Sequence, residues 1–316
     1  MWGEYLQNVT GAEVWRAARY ANPRAGTTVE ALTDRDGKQV NTSLEKEDML
    51  RHESFPPNAC NQHYELPTAG SPHKCAPEQA VEGALFSQSL KEAPRPDKLS
   101  FGTIRLLWKW DKERIVRLTR AAIPKRRHPA VWKRAGHLDI PKPGKNHYTK
   151  LRAYPSILLL ICVGKVVEKV SAELPSQEAE RRGLLSDGQF WSREGLSAID
   201  AAAIMVDRAH AAWTNGNITG VLLMDIMAAF PSVAKERLVN LSKVRKMDGD
   251  LVQWTESFLS ERTVEMIIEG NSMERHPVEA VVRQASPVSL ILFAIHTSGL
   301  INWVKSMYQR PRGYPF

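Results

Sequence analysis

Cysteine is scarce in this chain of 316 residues, which contains only Cys60, Cys75 and Cys162. Three scattered cysteines cannot form a disulfide framework, and their scarcity is typical of a reducing, intracellular location, here the nucleus or the cytoplasm. No continuous apolar run reaches the roughly 18 residues that cross a bilayer. The opening residues, MWGEYLQNV, contain no basic segment followed by an apolar one. We therefore expect neither a membrane partner nor a secretory signal.

The segment 1–76 is predicted to be an N-terminal extension that ends in a proline-rich linker. Its last twenty residues combine proline with Asn, Gln, Ser and Gly, a composition typical of loops. Cys60, His63, His73 and Cys75 lie within this linker, and two cysteines with two histidines can bind zinc. Their spacing matches no compact zinc module, so the pattern favours a linker over a zinc site.

Positive charge is concentrated in one segment. The whole chain carries a net charge of +8, but residues 101–152 contain fifteen lysines and arginines and only three acids. Such a field is typical of proteins that bind a polyanion, most often nucleic acid. Solvated helix surface is the alternative. The predicted nucleic-acid-binding residues are Arg126, Arg127, Lys133, Arg134, Lys142 and Lys145, and Trp108, Trp110 and Trp132 are candidates to stack on bases.

Residue periodicity predicts an α+β fold with strands that are late and clustered. The pattern at 31–40 is typical of a hairpin with an Asp-Gly turn. Ser197 and Asp200 form a capping-box start for a helix whose buried stripe would be Ile199, Ala202, Val206, Ala209 and Trp213. We expect further helices at 11–22, after Pro77, and at 111–123, 157–185, 235–246, 251–260 and 288–308, and strands at 263–269 and 276–282.

One stretch, TGVLLMDIMAAFPSV at 219–233, combines a short apolar run with a single acid, Asp225. A run of this kind is typical of a buried strand that presents a carboxylate at a sheet edge. An unpaired buried carboxylate is costly, and a bound metal ion would remove that cost. The alternative is a strand that ends at a solvated aspartate.

Six strings in order resemble the reverse transcriptase domain of non-LTR, LINE-type retrotransposons, with wording most similar to fungal elements. They are PKPGK (141–145), GKVVEKV (164–170), SDGQF (186–190), MDIMAAF (224–230), SFLSERTV (257–264) and QASPVSLILFAI (284–295). The resemblance implies a right-hand polymerase in which helices pack on a small antiparallel sheet. Residues 77–218 would form the fingers and 219–316 a partial palm, with the thumb absent.

The resemblance also implies a two-metal nucleotidyl transfer. In that family Asp225 would be the catalytic residue and first ligand of Mg²⁺ or Mn²⁺. The backbone around Ile226 would contact the dNTP, Phe230 would exclude a ribose 2′-hydroxyl, and Gln284 would lie beside the incoming nucleotide. RNA template and DNA primer would be the nucleic-acid partners.

The chain departs from the family pattern at several of these positions. It contains no aspartate after Asp250, so the second acid motif is absent and the domain is expected to be truncated. The family's glycine-rich loop reads Val281-Val282-Arg283-Gln284-Ala285 here, without either glycine. We therefore expect the chain alone to be inactive. The alternatives are a polymerase completed by acids from another chain, a nucleic-acid-binding remnant without catalysis, and a translated relic.

Overall fold

A computed structural model describes residues 29, 31–34, 37–54, 76–90, 96–141, 149–154, 156–226, 229–230, 233–268, 271–278 and 286–308. Within these ranges the protein mixes helices with two small sheets, in agreement with the predicted α+β class. The predicted helix at 11–22, the linker with its cysteines and histidines, and the candidate residues Lys142, Lys145 and Gln284 lie outside the described residues.

The helices of the described ranges supply most of the fold. They are α1 (Ser43–Ser54), α2 (Glu78–Phe86), α3 (Phe101–Ala121), α4 (Cys162–Ser171), α5 (Glu173–Arg181), α6 (Ala198–Thr214), α7 (Lys235–Val244), α8 (Gly249–Leu259) and α9 (Pro287–Tyr308). Short 3₁₀ helices occur at Ala130–Lys133 and Leu151–Ala153. The helices predicted after Pro77, after Ser197 and at 235–246, 251–260 and 288–308 are confirmed to within a few residues.

The strands form two sheets. Strands β1 (Leu32–Thr33) and β2 (Gln39–Val40) pair antiparallel around a turn in which Gly37 has a φ of +85°, which confirms the predicted hairpin. Strands β3 (Arg134–Asp139), β4 (Ser156–Leu160), β5 (Arg262–Ile268) and β6 (Asn271–Val278) form a second sheet in the order β4-β3-β5-β6. The strand predicted at 263–269 is confirmed, while β6 begins five residues earlier than predicted.

The prediction that the strands are late and clustered is wrong, because β1 to β4 all precede residue 161. Residues 156–160 form β4, although the apolar run there was predicted to open a helix. Short apolar runs have no periodicity that separates a buried strand from a buried helix, which explains the error. Strand β3 lies in a segment for which no strand was predicted, and its residues are mostly buried.

Helix α3 is longer than predicted and contains a break. It begins at Phe101, where the Oγ of Ser100 accepts a hydrogen bond from the backbone N–H of Thr103 at 3.2 Å. At Asp111 the backbone leaves the helical region (φ −149°, ψ 58°), and the Asp111 carboxylate accepts from the N–H of Arg114 at 3.1 Å. Asp111 thus caps a second helical segment, and the predicted helix at 111–123 corresponds to that segment only.

Helix α6 has the predicted capping box but not the predicted buried stripe. The side chain of Ser197 accepts from the N–H of Asp200, and the Asp200 carboxylate accepts from the N–H of Ser197. None of the residues of α6 is buried, and Ile199, Val206 and Trp213 are all exposed. The prediction of a buried stripe on α6 is therefore wrong, because periodicity shows which residues share a face but not whether another element covers it.

The described residues divide into two compact units. The first takes its residues from 29–53, 137–157 and 265–275, and its core contains Val29, Leu32, Leu50, Tyr154 and Met266.

The second unit contains the remaining described residues and two apolar cores. One core joins α2, α3 and α4 and includes Leu85, Phe101, Ile104 and Val166. The other is built around Trp254 and Phe258 of α8, with residues of α7 and α9.

Within the described residues, α9 is long and apolar enough to cross a membrane by length and composition. Half of this stretch is buried inside the fold, and core helices pass the same test of length and composition. This feature is weak evidence for a membrane partner.

Candidate nucleic-acid interface and polymerase site

The segment that carries Asp225 is not a strand in the structure. Residues 217–226 form no regular element, and Asp225 is exposed together with Val221, Leu222, Leu223 and Met224. Leu223 has 86% of its surface exposed. A strand needs hydrogen-bonding partners for its backbone groups, and no described strand pairs with this segment. The prediction of a buried strand that delivers Asp225 to a sheet edge is therefore wrong for the described fold.

No metal-binding cluster forms around Asp225. Among the described residues, no group of three or more His, Cys, Asp or Glu side chains lies close enough together to bind a metal ion. Asp225 remains a candidate ligand only as a single exposed carboxylate.

The two described residues predicted to contact the nucleotide both lie beside helix α9. The ring of Phe230 lies 4.8 Å from that of Phe293, centroid to centroid, and packs against the core of the second unit. Ile226 lines a cavity of about 570 Å³ to which Phe293 also contributes. The structure thus places Ile226 and Phe230 near one another through Phe293.

The same cavity contains two basic side chains that no sequence pattern singles out. Arg237 of α7 and His296 of α9 line it together with Trp303. Burial lowers the pKa of His296, and the positive charge of Arg237 lowers it further. At a given pH, His296 is therefore protonated to a smaller extent than an exposed histidine. Sequence periodicity places both residues on helices but does not show that they face the same cavity.

Of the four described cations predicted to bind nucleic acid, two are engaged by acids of the protein itself. The Nε of Arg126 lies 2.7 Å from the carboxylate of Asp250. The Nζ of Lys133 lies 3.6 Å from the carboxylate of Glu261. Lys133 is also buried, and this burial lowers its pKa. Neither side chain is available to a phosphate without loss of an internal contact.

The other two predicted cations, Arg127 and Arg134, differ from each other in their exposure to solvent. Arg134 is the first residue of β3 and is half-buried, and its Nε lies in the interior without a hydrogen-bond partner. Arg127 is exposed, and no ion pair or hydrogen bond joins its side chain to another described residue. Of these four, only Arg127 is an exposed cation without an ion pair to a described residue.

The exposed side of α3 offers further cations and an aromatic ring. We call the residues Leu106, Lys109, Trp110, Arg114 and Arg117 the outer face of α3. All five are exposed, and Trp110 has 87% of its surface exposed. Arg114 forms an ion pair with Asp111 at 2.8 Å, whereas Lys109 and Arg117 have no ion pair within the described part of the chain. The predicted basic field is therefore present, but only part of it remains free for a partner.

Two of the three candidate stacking tryptophans are part of the fold. Trp108 is buried in the core formed by α2, α3 and α4. Trp132 packs so closely on α4 that a Cβ atom added at Gly164 would lie 2.8 Å from its Cβ. Trp108 and Trp132 therefore have a packing role, and of the three candidates only Trp110 is exposed.

Comparison with known proteins identifies two distant relatives, and no protein-family model matches the chain. Over 304 residues, 92% of the chain, it is 25% identical to the RNA-directed DNA polymerase from mobile element jockey of Drosophila melanogaster. Over 224 residues, 71% of the chain, it is 25% identical to the probable RNA-directed DNA polymerase from transposon BS of the same species. The matched stretches cover 33% and 24% of the two relatives, so the chain spans about a third of their length or less.

The chain is thus a distant homologue of RNA-directed DNA polymerases from mobile elements. This homology supports a reverse transcriptase of a LINE-type element, in agreement with the resemblance found in the sequence motifs.

Proposed function

We propose that this chain is the template-binding part of an RNA-directed DNA polymerase from a LINE-type element. The observation that supports this proposal best is the set of exposed cations Lys109, Arg117 and Arg127, which have no ion pair among the described residues. Exposed cations that are not neutralised by an acid of the protein attract a polyanion. An RNA template and a DNA primer are the proposed partners, in the nucleus or the cytoplasm, and the fungal origin suggested by the motif wording stays a prediction.

Template binding can be tested with a labelled single-stranded RNA, whose affinity is measured by fluorescence anisotropy at 50 and 200 mM salt. If about four phosphates are neutralised, the slope of log affinity against log salt is about −3, and affinity falls about 50-fold over this range. Replacement of Arg117 by Gln should make the slope shallower by about one contact. Arg208→Gln, at an exposed arginine of α6, is the matched control and should leave the slope unchanged. An affinity that does not respond to salt contradicts the proposal.

We further propose that residues 1–316 alone do not polymerise DNA. A two-metal site needs several carboxylates, because two divalent ions must be held against their hydration. Asp225 is the only candidate ligand in the described fold, and a single exposed carboxylate does not fit a two-metal site. Mg²⁺ or Mn²⁺ and a dNTP would be bound by Asp225 only together with acids from elsewhere, with Ile226, Phe230 and Gln284 near the nucleotide.

Primer extension on a poly-A template with an oligo-dT primer, dTTP and either Mg²⁺ or Mn²⁺ tests this second part. We expect no incorporation by the purified chain, while an active reverse transcriptase in the same buffer serves as positive control. Incorporation that Asp225→Ala abolishes would show that the chain is a working polymerase.

One observation favours a competing interpretation, that of a translated relic. The apolar residues Leu222, Leu223 and Met224 are exposed in succession, and a contiguous exposed apolar patch promotes aggregation. Soluble expression followed by a cooperative thermal transition would contradict this interpretation. Insoluble protein without such a transition would support it.

A further inference from the structure

We infer that Trp110 is a stacking platform for an unpaired base, so that the outer face of α3 prefers single-stranded nucleic acid to a duplex. This inference rests on the proposed nucleic-acid-binding function and specifies the form of the ligand. The residues of the outer face would then contact different parts of the nucleic acid. Trp110 contacts a base, while Lys109 and Arg117 contact the phosphates that flank it.

The first observation is the unusual position of Trp110. Its indole is 87% exposed, whereas Trp108, two residues earlier, is 7% exposed and belongs to the core. Exposure of an indole to water is unfavourable, because the free energy falls when a flat partner covers its large apolar surface. A nucleobase is such a partner, because every base offers a π-face to an aromatic side chain.

The second observation is the charge pattern around Trp110. Lys109 precedes it directly, and Arg117 follows in the helical segment that begins after the break at Asp111. Neither cation has an ion pair within the described residues. The acids nearby are Asp111, which accepts from Arg114, and Glu113. The surface is therefore aromatic and net positive, a combination that fits a nucleic-acid strand better than an apolar protein helix.

The third observation is that α3 is held firmly from its other side. Arg105 donates to the carbonyl oxygen of Phe86 at 2.8 Å, and the Nζ of Lys112 lies 2.8 Å from the carboxylate of Glu78. Both contacts join α3 to α2, and Phe101 and Ile104 pack in the core beneath. A platform carried by a packed helix loses little conformational freedom when a ligand binds.

Stacking on a protruding side chain requires a base that is already unpaired. A base within a duplex is stacked on both neighbours, and its separation from them costs a few kcal/mol. A single strand avoids that cost and also allows its backbone to follow the cations along α3. Preference for a single strand is therefore the specific consequence of the inference.

The test compares the affinity of the full chain for two fluorescein-labelled probes, a 12-nucleotide single-stranded RNA of mixed sequence and the same strand annealed to its complement. The variant Trp110→Ala should lose about tenfold in affinity for the single strand, because stacking on one base typically contributes that much. It should lose less than twofold for the duplex. The salt slope should not change, because no charge is removed.

Two further variants make the measurement specific. Trp110→Phe retains an aromatic face and should restore most of the affinity for the single strand. Trp213→Ala removes an exposed tryptophan from α6, a different helix, and should bind both probes like the unmodified chain. Because Trp110 is almost fully exposed, its substitution should leave the circular dichroism spectrum and the melting temperature unchanged.

The outcomes separate this inference from the function on which it rests. If the unmodified chain binds RNA with the expected salt slope and Trp110→Ala binds equally well, the stacking role is refuted and the proposed function stands. Equal losses for both probes also refute it. If the unmodified chain does not bind either probe, the proposed function fails. If Trp110→Ala instead abolishes self-association of the chain and leaves RNA affinity unchanged, the outer face is a protein interface and the inference is wrong.

Discussion

A buried arginine offers the sharpest test of how the second unit is stabilised. Arg262 is the first residue of β5 and only 1% exposed. Its Nε donates to the carbonyl oxygen of Phe258 at 2.6 Å, and its guanidinium lies 4.0 Å from the centroid of the Phe258 ring. Its other two nitrogens, Nη1 and Nη2, have no hydrogen-bond partner. Burial of this charged guanidinium is expected to reduce the free energy of unfolding at neutral pH.

The magnitude of this cost follows from the pKa of Arg262. Burial lowers this pKa to about 10, although the carboxylate of Glu168 raises it. Since one pKa unit corresponds to about 1.4 kcal/mol, this fall from the ordinary pKa of an arginine to about 10 means a net cost of about 3 kcal/mol. This cost is present at every pH below about 10, where the buried guanidinium is charged. It is relieved only above about pH 10, where the folded protein releases the proton before the unfolded chain does.

The perturbation is Arg262→Met, which keeps much of the side-chain volume and removes the charge. It would leave Glu168, itself buried on α4, with His128 at 3.6 Å but without the arginine charge. The charge of Glu168 attracts the guanidinium of Arg262, although the arginine nitrogens make no hydrogen bond to it. In a close buried pair, removal of one charge typically costs about 3–5 kcal/mol, somewhat more than is gained here by removing the buried guanidinium. We therefore expect a net loss of stability of up to about 2 kcal/mol from Arg262→Met, and a loss also from Glu168→Leu, which removes the charge that attracts the guanidinium.

The double variant Arg262→Met/Glu168→Leu should recover a large part of these losses, because two apolar side chains replace two buried charges. Urea denaturation at pH 7, followed by tryptophan fluorescence, gives the free energy of unfolding of all four proteins in a double-mutant cycle. Arg117→Met, at an exposed arginine, is the control and should change stability by less than about 0.5 kcal/mol. Equal stability of Arg262→Met and the unmodified chain, or losses that simply add, would refute the reasoning.

Three further predictions concern single contacts. Burial lowers the pKa of His296, so the stability contributed by its neutral form is complete above the ordinary pKa of about 6.5 and is lost as the pH falls below it. The variant His296→Phe should therefore show a smaller fall in melting temperature between pH 7 and 5 than the unmodified chain. An identical fall in both proteins would contradict this prediction. Gly164→Ala should destabilise by about 1–3 kcal/mol in urea unfolding because its Cβ would overlap Trp132; an unchanged midpoint would show that Trp132 moves away freely. Ser197→Ala removes the hydrogen bond to Asp200 and should cost about 1 kcal/mol of local helix stability, visible as faster amide exchange in α6 than in the unmodified chain.

The parts of the fold that depend on neighbouring residues were predictable. Ser197 and Asp200 identify the start of α6 because a capping box is a contact between residues three positions apart. The hairpin of β1 and β2 was predictable for the same reason, since its turn is formed by adjacent residues. The α+β class follows from such local patterns, whereas the division into segments 1–76, 77–218 and 219–316 remains a prediction.

The candidate site was less predictable because it depends on contacts distant in sequence. Arg126 and Gln253, which form a hydrogen bond, are 127 positions apart, and no local pattern identifies Asp250 or Gln253 as partners of Arg126. The burial of Lys133 and the exposure of Trp110 are likewise decided by neighbouring elements. Composition alone identifies the basic segment, but it does not show which of its cations remain without an ion pair.

The sequence by itself determined where most helices begin and end, that a basic and aromatic segment precedes β3, and that the motifs resemble those of a LINE-type reverse transcriptase. Caps, turns and periodicity operate over a few residues, so each can be recognised without the rest of the molecule. Only the tertiary structure decided that the apolar run before Asp225 has no strand partner, that α6 has no buried residue, and that Lys109, Arg117 and Trp110 face outward. Burial and pairing depend on which distant segments meet, and that is settled when the chain packs.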